Sequence, residues 1–355
     1  MPSRLSLYLR AIQGARVMFR NWLPVLAKFT IHKFGLANGE VTVRCRNGGA
    51  IQIPLNTLRV LLYAWKIGLT ATVDCTTGRV ILLHHNQVDG DFNLAITPLD
   101  RLTVEDAVPD AVKNGWVFDG AYWRGYVRFF DGKSRRVVEK MVIFKHMYGP
   151  LLEVFDKEEF RYVDVKGMEV VDVGAFVGDS AIYFALRGAR RVIAVEPHPG
   201  AYAEMLENIE LNKLGDVITP VNAGLASEPG KICIGNVTVA GTVTTYHTPG
   251  AYYSGEDCED EAPAVTLGEL IEKYGIQPGE AILKMDCEGC EFDVIMNDYE
   301  HVRLFRELIF EHHAGPVKYN LGELTSRLAV DFHCMRVSGD MHVGVIHCVR
   351  KILIV

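Results

Sequence analysis

From Glu169 to Glu196 the chain reads EVVDVGAFVGDSAIYFALRGARRVIAVE, and no other stretch restricts the fold as much. A short apolar run, Val170 to Val173, meets Gly174; Gly178 follows after three residues and opens Ser180–Leu186, whose spacing is helical. Past Gly188 a second apolar run, Val192 to Val195, ends in Glu196. Strand, glycine turn, helix and strand in that order predict a parallel β-α-β unit. Its first turn is nearly bare backbone, which can approach a ligand closely, and its second strand ends in a carboxylate able to accept from two ribose hydroxyls. Such a unit suits a nucleoside. A pyrophosphate-bearing dinucleotide would need G-x-G-x-x-G, a spacing that Gly174-x-x-x-Gly178 departs from.

Strands and helices keep alternating after Gly167. A helix is expected near Gly200–Asn212, a strand near Val217–Asn222, a helix near Leu267–Tyr274, strands at Ala281–Met285 and Glu307–Phe310, and a closing strand or hairpin over Val343–Val355. This predicts an α/β fold with a parallel sheet and helices on both faces. The Thr- and Gly-rich stretch Gly224–Val265, with the acidic tract Glu256–Glu261 near its end, is expected as a hairpin or loop above the site.

Upstream the pattern differs. From Glu40 to about Val165 the periodicity shortens toward two, with turn signals at Asn47-Gly-Gly49, Asp89-Gly90 and Asp131-Gly132, as in a smaller strand-rich region. Its aromatics, Trp116, Phe118, Tyr122, Trp123, Tyr126, Phe129 and Phe130, are expected to form a local core. The segment before it mixes Leu5, Leu9, Ile12, Trp22 and Leu23 with six basic residues and has no acid before Glu40. Such a helix can dock on its own domain or lie on an anionic membrane surface. The expected domains are therefore a basic amphipathic segment, 1–38, a strand-rich region, 39–154, and the α/β domain, 155–355.

At 355 residues, 49% of them apolar and 23% charged, the chain is long enough for two globular domains. The net charge of −7 weighs against a broad nucleic-acid surface. Arg10, Arg16 and Arg20 interrupt the early apolar residues and no run approaches membrane-spanning length, so a cytoplasmic protein, peripheral to a membrane at most, is expected. The eight cysteines are scattered and expected to be mostly reduced and buried, and Cys287-Glu-Gly-Cys290 has the spacing of half a zinc site without a second half.

Three further phrases are more specific. Glu196-Pro-His-Pro199 is followed by Asn208-Ile-Glu-Leu-Asn212 and Val221-Asn222-Ala223; Leu283-Lys-Met-Asp-Cys-Glu-Gly-Cys-Glu291 and Ile309-Phe-Glu-His-His313 come later. With Asp172-Val-Gly-Ala-Phe-Val-Gly178 they resemble the FkbM family of S-adenosylmethionine-dependent methyltransferases, over roughly Phe155 to the C-terminus. The resemblance implies a Rossmann-like class I methyltransferase sheet with a reversed hairpin at its C-terminal edge, S-adenosyl-L-methionine as cofactor, and methylation of an oxygen on a glycan, lipid-linked sugar or small metabolite. It places cofactor contacts on Gly174, Gly178, Glu196 and Asn222, with Asp172 near the ammonium of the amino-acid tail. Cys287 and Cys290 depart from the family pattern, where small or aliphatic residues are usual. The N-P-P-Y and D-P-P-Y signatures of many enzymes that methylate base or amide nitrogens are absent, which favours oxygen over the alternatives, an RNA methyltransferase or a non-catalytic cofactor-binding protein.

Independently of the family, Met285 ends an apolar run, so Asp286 is expected at a strand's carboxyl end, where open α/β sheets bind ligands. Glu288 and Glu291 lie one helical turn apart and are expected to face the same cleft. The three acids could seat a hard divalent cation such as Mg2+, or one of them could serve as general base. Glu311-His312-His313 ends a strand on the same sheet edge, and either histidine could take the substrate proton.

Overall fold

The computed structural model describes residues 4–33, 39–85, 92–99, 101–105, 107–131, 135–234, 246–247, 260–313 and 319–351. One unit is built chiefly from Met1–Tyr126 and Met141–Leu152, the other from Val127–Lys140, Glu153–Thr238 and Thr242–Val355.

The second unit is the α/β one. Its seven-stranded sheet comprises β1 (Glu169–Val173), β2 (Arg191–Val195), β3 (Ile218–Val221), β4 (Ala281–Met285), β5 (Glu307–His313), β6 (Phe332–Arg336) and β7 (Val343–Arg350), in the order β3-β2-β1-β4-β5-β7-β6. The five strands β1 to β5 run parallel, while β7 is antiparallel to both β5 and β6. The fold is thus the expected Rossmann-like α/β sheet, with the reversed hairpin at its edge. Val171 lies opposite Ile193 on one side and Leu283 on the other, which makes β1 and β4 central strands. Both are buried along their whole length, so they carry near-continuous apolar runs in place of alternation.

Helices α1 (Asp179–Leu186), α2 (Pro199–Leu211), α3 (Leu267–Tyr274), α4 (Cys290–Asn297) and α5 (Leu321–Leu328) cover the sheet. Val171, Ile193, Leu283 and Phe310 share one core with Leu270 of α3, Phe292 of α4 and Leu324 of α5. Where α3 and α5 begin, Thr266 with Glu269 and Asn320 with Glu323 form reciprocal capping boxes, satisfying amide groups that a helix start leaves bare. Strands Gly230–Ile234 and Asp260–Val265 pair antiparallel, so the Thr- and Gly-rich stretch does contain a hairpin. Much of the rest of it, with most of the acidic tract, lies outside the described residues.

In the first unit the helices Arg4–Met18 and Trp22–Lys33 precede a hairpin, Glu40–Arg44 with Ala50–Pro54, turned at Asn47-Gly48-Gly49. A helix then interrupts the strands. Leu55–Ile67 buries Leu58, Leu61 and Leu62 and ends at Gly68, whose φ of 99° is left-handed. Its apolar spacing of three and four is local to thirteen residues and is masked by the two-residue alternation around it. Trp116, Phe118 and Trp123 are core residues as expected, whereas Tyr126 is exposed. The Asp89-Gly90 turn lies outside the described residues.

The expectation of reduced cysteines is overturned. Cys45 is bonded to Cys75, Cys287 to Cys290 and Cys334 to Cys348, and among the described residues no cysteine is free. Cys334 faces Cys348 because the antiparallel register of β6 and β7 sets them opposite, a pairing that sequence spacing does not reveal. The Cys287–Cys290 bond removes both sulfurs as zinc ligands.

Candidate active site

Because β1 to β5 are parallel, Gly174, Glu196, Asn222, Asp286 and the Glu311–His313 end of β5 all emerge on one sheet edge. The loop after β1 is tied down by its own backbone: Gly174 and Ala175 N–H both donate to the Val195 carbonyl, at 3.0 and 3.1 Å, and Gly178 N–H donates to Ala175. Gly174 has φ +72°, and a Cβ there would lie 1.7 Å from the carbonyl oxygen of Asp286. Glycine is required by the contact between the two loops as much as by any ligand. Phe176, at φ +45°, also occupies the left-handed region.

Glu196 is buried and already holds two amides. Its Oε2 accepts from Phe176 N–H and its Oε1 from His198 N–H, both at 2.8 Å. These two bonds fix the direction of both carboxylate oxygens at the end of β2. Asn222 serves the same corner differently, its amide donating to the carbonyls of Glu196 and Pro197 at 2.9 and 3.2 Å. His198 is a helix cap, with Nδ1 accepting from Gly200 and Ala201 at the start of α2. An apolar pocket beside this corner is lined by Val173, Gly174, Pro197, Ala223, Leu225 and Cys287.

Asp172 is elsewhere than expected. Its carboxylate is fully buried, 3.0 Å from Lys284 Nζ, and accepts from Ser180 Oγ at 2.7 Å, so it is committed inside the sheet and is not free to meet an amino-acid tail. Lys284 also donates to the carbonyls of Gly174 and Val173, at 2.9 and 3.3 Å. Burial disfavours its charge, but Asp172, Asp286 and Asp179 outweigh that and keep it protonated above its ordinary range. Burial raises Asp179 to about 7, against the opposing pull of Lys284. Lys284 ties the end of β1 to β4 beneath the site, a role that no motif assigns it. The signal was a lysine inside an otherwise apolar central strand, where an unpaired charge is not tolerated.

Across the edge lies an acid-rich half. His313 Nε2 stands 3.5 Å from Glu311 Oε2 and 3.6 Å from Glu288 Oε2, and its Nδ1 is 3.7 Å from Glu291 Oε1. Burial opposes the imidazolium, yet contacts with Glu291 and Glu311 and the charge of Glu288 prevail and push His313 up to about 11. His313 is therefore a cation at neutral pH and cannot begin as a base. Glu288 is raised to about 7, by burial first, with Asp286, Glu291 and Glu311 adding to it against His313. Its φ of +55° is strained for a residue with a side chain, and the Cys287–Cys290 bond closes a small ring around it. Glu159, from outside every motif, is raised to about 8 by burial and then by Glu311 and Asp286.

The trio Asp286, Glu288 and Glu291 does not converge as expected. Glu291 is fully buried and accepts from Gly289 N–H at 3.0 Å and His313 N–H at 3.1 Å, fastening the start of α4 to the end of β5. The donor atoms that do come together, all within 4.8 Å of one another, belong to Asp286, Glu311 and His313. Asp286 meets this group because its own backbone N–H is held by the Val173 carbonyl at 3.0 Å.

His312 leaves the cluster, since neighbouring residues of a strand point to opposite faces. Its ring is fully buried, with a hydrogen-bond partner for neither nitrogen, and burial lowers its pKa from 6.5. It stays neutral when folded and takes a proton when unfolded, so its contribution to stability is present above about pH 6.5 and is lost as pH falls below it. Denaturant melts from pH 7.5 to 5 are expected to show a shallower loss of stability for His312→Gln than for the parent. Parallel curves would mean that His312 does not resist protonation.

Residues 172–333 match the family described as methyltransferase FkbM domain. The ribosomal protein L11 methyltransferase of Geobacter sp. (strain M21) is 35% identical over 116 residues, which are 29% of this chain and 38% of that protein. The hexuronic acid methyltransferase AglP of Haloferax volcanii is 23% identical over 169 residues, 48% of this chain and 66% of that protein. The alignment thus spans less than two thirds of either relative. Among solved structures, a ribosomal protein L11 methylase from Lactobacillus delbrueckii subsp. bulgaricus aligns over 55% of this chain and 76% of its own, at 14% identity and a TM-score of 0.31, too low a superposition to add to the topology given above.

Proposed function

Because residues 172–333 match the FkbM methyltransferase domain, we propose that this chain is an S-adenosylmethionine-dependent O-methyltransferase whose acceptor is a hydroxyl of a sugar or a similar polyhydroxylated molecule. The observation that carries the reading is Glu288, raised to about 7 beside a cationic His313 on the same edge as a nucleoside corner. The residues present fit the cofactor: the buried Glu196 carboxylate stands oriented at the end of β2 beside an apolar lining, and the Gly174–Gly178 loop lets a ligand approach its backbone.

When bound, the cofactor supplies an activated methyl on sulfur. The chain's task is to hold the acceptor in line and take its proton. Glu288 takes that proton, and a base near the working pH is the efficient choice for an alcohol. His313 fixes Glu288 and Glu311 in place as their counter-charge. The carboxylates around it, Asp286 and Glu311, favour a hydroxyl-rich acceptor over a phosphate backbone.

Tritiated methyl transfer to neutral glycans, hexuronic-acid glycans, ribosomal protein and total RNA tests the reading. Label recovered as alkali-stable methyl ether on a glycan is expected; label only in protein amines or in RNA overturns it. With that acceptor, kcat/KM should rise with pH through about 7, since Glu288 must lose its proton to act. Glu288→Gln should lower kcat by about 10²-fold and flatten the profile, while cofactor affinity stays within about twofold. A divalent cation is the second reading. Asp286, Glu311 and His313 would hold it, and loss of turnover on EDTA with recovery on Mg2+ would assign it.

A further inference from the structure

The helix Arg4–Met18 has two apolar faces, and only one of them is used. On the inner face Ala15 and Met18 are buried, and Gly14 lies so close to Trp65 that a Cβ would fall 2.3 Å from its ring. The outer line, at helical spacing, is also apolar: Leu5 is 70% exposed, Tyr8 57%, Leu9 56% and Ile12 40%. The second helix, Trp22–Lys33, repeats the pattern with Leu23 at 63% and Ile31 at 47%, two turns apart on one side and separated by the exposed Ala27. Scattered apolar residues on a surface are ordinary, but two successive helices that each carry an exposed apolar stripe are not.

Charge narrows the occupant. These helices carry Arg4, Arg10, Arg16, Lys28 and Lys33, Arg20 lies between them, and all 44 acidic residues of the chain lie from Glu40 onward. Arg16 falls on the same outer line as Leu5, Leu9 and Ile12, and its guanidinium stands 5.6 Å from the Trp22 ring. Among the described residues no helix is long and apolar enough to cross a membrane. A helix of 15 residues with basic side chains beside an exposed apolar line is built to lie in the plane of a lipid surface, its apolar face at the acyl boundary and its cations among anionic headgroups.

We propose that Arg4–Lys33 is an in-plane anchor that docks this protein on anionic lipid bilayers through Leu5, Leu9, Ile12 and Leu23. The assignment is independent of the methyltransfer reading. Co-sedimentation of the full chain with phosphatidylcholine vesicles containing about 30 mol% phosphatidylglycerol should capture most of the protein; pure phosphatidylcholine should capture little. Raising NaCl from about 0.05 to 0.5 M should release much of it. The triple variant L5Q/L9Q/I12Q removes exposed groups only and keeps good helix formers, so its melting profile should match the parent while its vesicle affinity falls at least about tenfold. No capture on anionic vesicles, equal capture on neutral ones, or unchanged capture of the triple variant overturns the anchor. Concentration-dependent dimers that the triple variant abolishes, without vesicle binding, would assign the stripe to a second copy instead.

Discussion

Replacing Lys284 with methionine is expected to cost the α/β unit about 3–5 kcal/mol, the range for removing one member of a buried ion pair. The carboxylate of Asp172, fully buried and 3.0 Å from Nζ, would be left with Ser180 as its remaining donor, and the Gly174 carbonyl would lose its partner. For a unit of this size each kcal/mol moves the melting point by roughly 2–4 °C, so a fall of about 6–20 °C should be seen by calorimetry. The double variant D172N/K284M should recover a large part of the loss, because it removes the uncompensated charge along with its partner. A single variant within about 1 kcal/mol of the parent would mean that the pair is not the clamp between β1 and β4 that its geometry suggests.

Glu196→Ala should weaken S-adenosylmethionine binding by at least about tenfold, since a hydrogen bond to a charged group is worth roughly 1.5–3 kcal/mol and each 1.4 kcal/mol is a factor of ten. Part of that loss is indirect. Alanine also releases the amides of Phe176 and His198, which Glu196 holds at 2.8 Å and which shape the corner. Glu196→Gln keeps one acceptor oxygen and should fall between alanine and the parent. Calorimetric titration distinguishes the cases: binding by the alanine variant within twofold of the parent, with an unchanged melting curve, would remove Glu196 from the ribose site.

Much of the α/β half was legible, and for a physical reason. Central parallel strands are buried on both faces, so Val170–Val173, Val192–Val195 and Ala281–Met285 stand out as apolar runs ending in polar residues. Glu196 and Asp286 could be placed on the ligand edge because a strand's end is visible in sequence. What could not be read was which acids meet. Glu291 and Glu311 are both strand- or helix-end carboxylates, but the first is turned inward onto the Gly289 and His313 amides and the second stands beside His313. Glu159 comes from a segment with no motif and joins only through the fold. His312 and His313 look interchangeable as letters, yet strand alternation buries one without a partner and surrounds the other with carboxylates. The pairing of Cys334 with Cys348 is not legible in the sequence, because scattering along the chain says nothing of register.

The bare backbone of Gly174 against the Asp286 carbonyl couples the two halves of the candidate site. With 1.7 Å between that oxygen and where a Cβ would stand, the loop proposed to face the donor and the loop proposed to face the acceptor are in effect a single wall seen from two sides. A substitution that re-aims Asp286 or Glu288 toward a new acceptor displaces the turn that carries Gly174, and one that widens the nucleoside corner disturbs the acid cluster. If the proposed methyl transfer holds, engineering of this protein for another acceptor would therefore meet correlated changes in both Michaelis constants, and libraries that vary the two loops together would reach variants that single-loop libraries cannot.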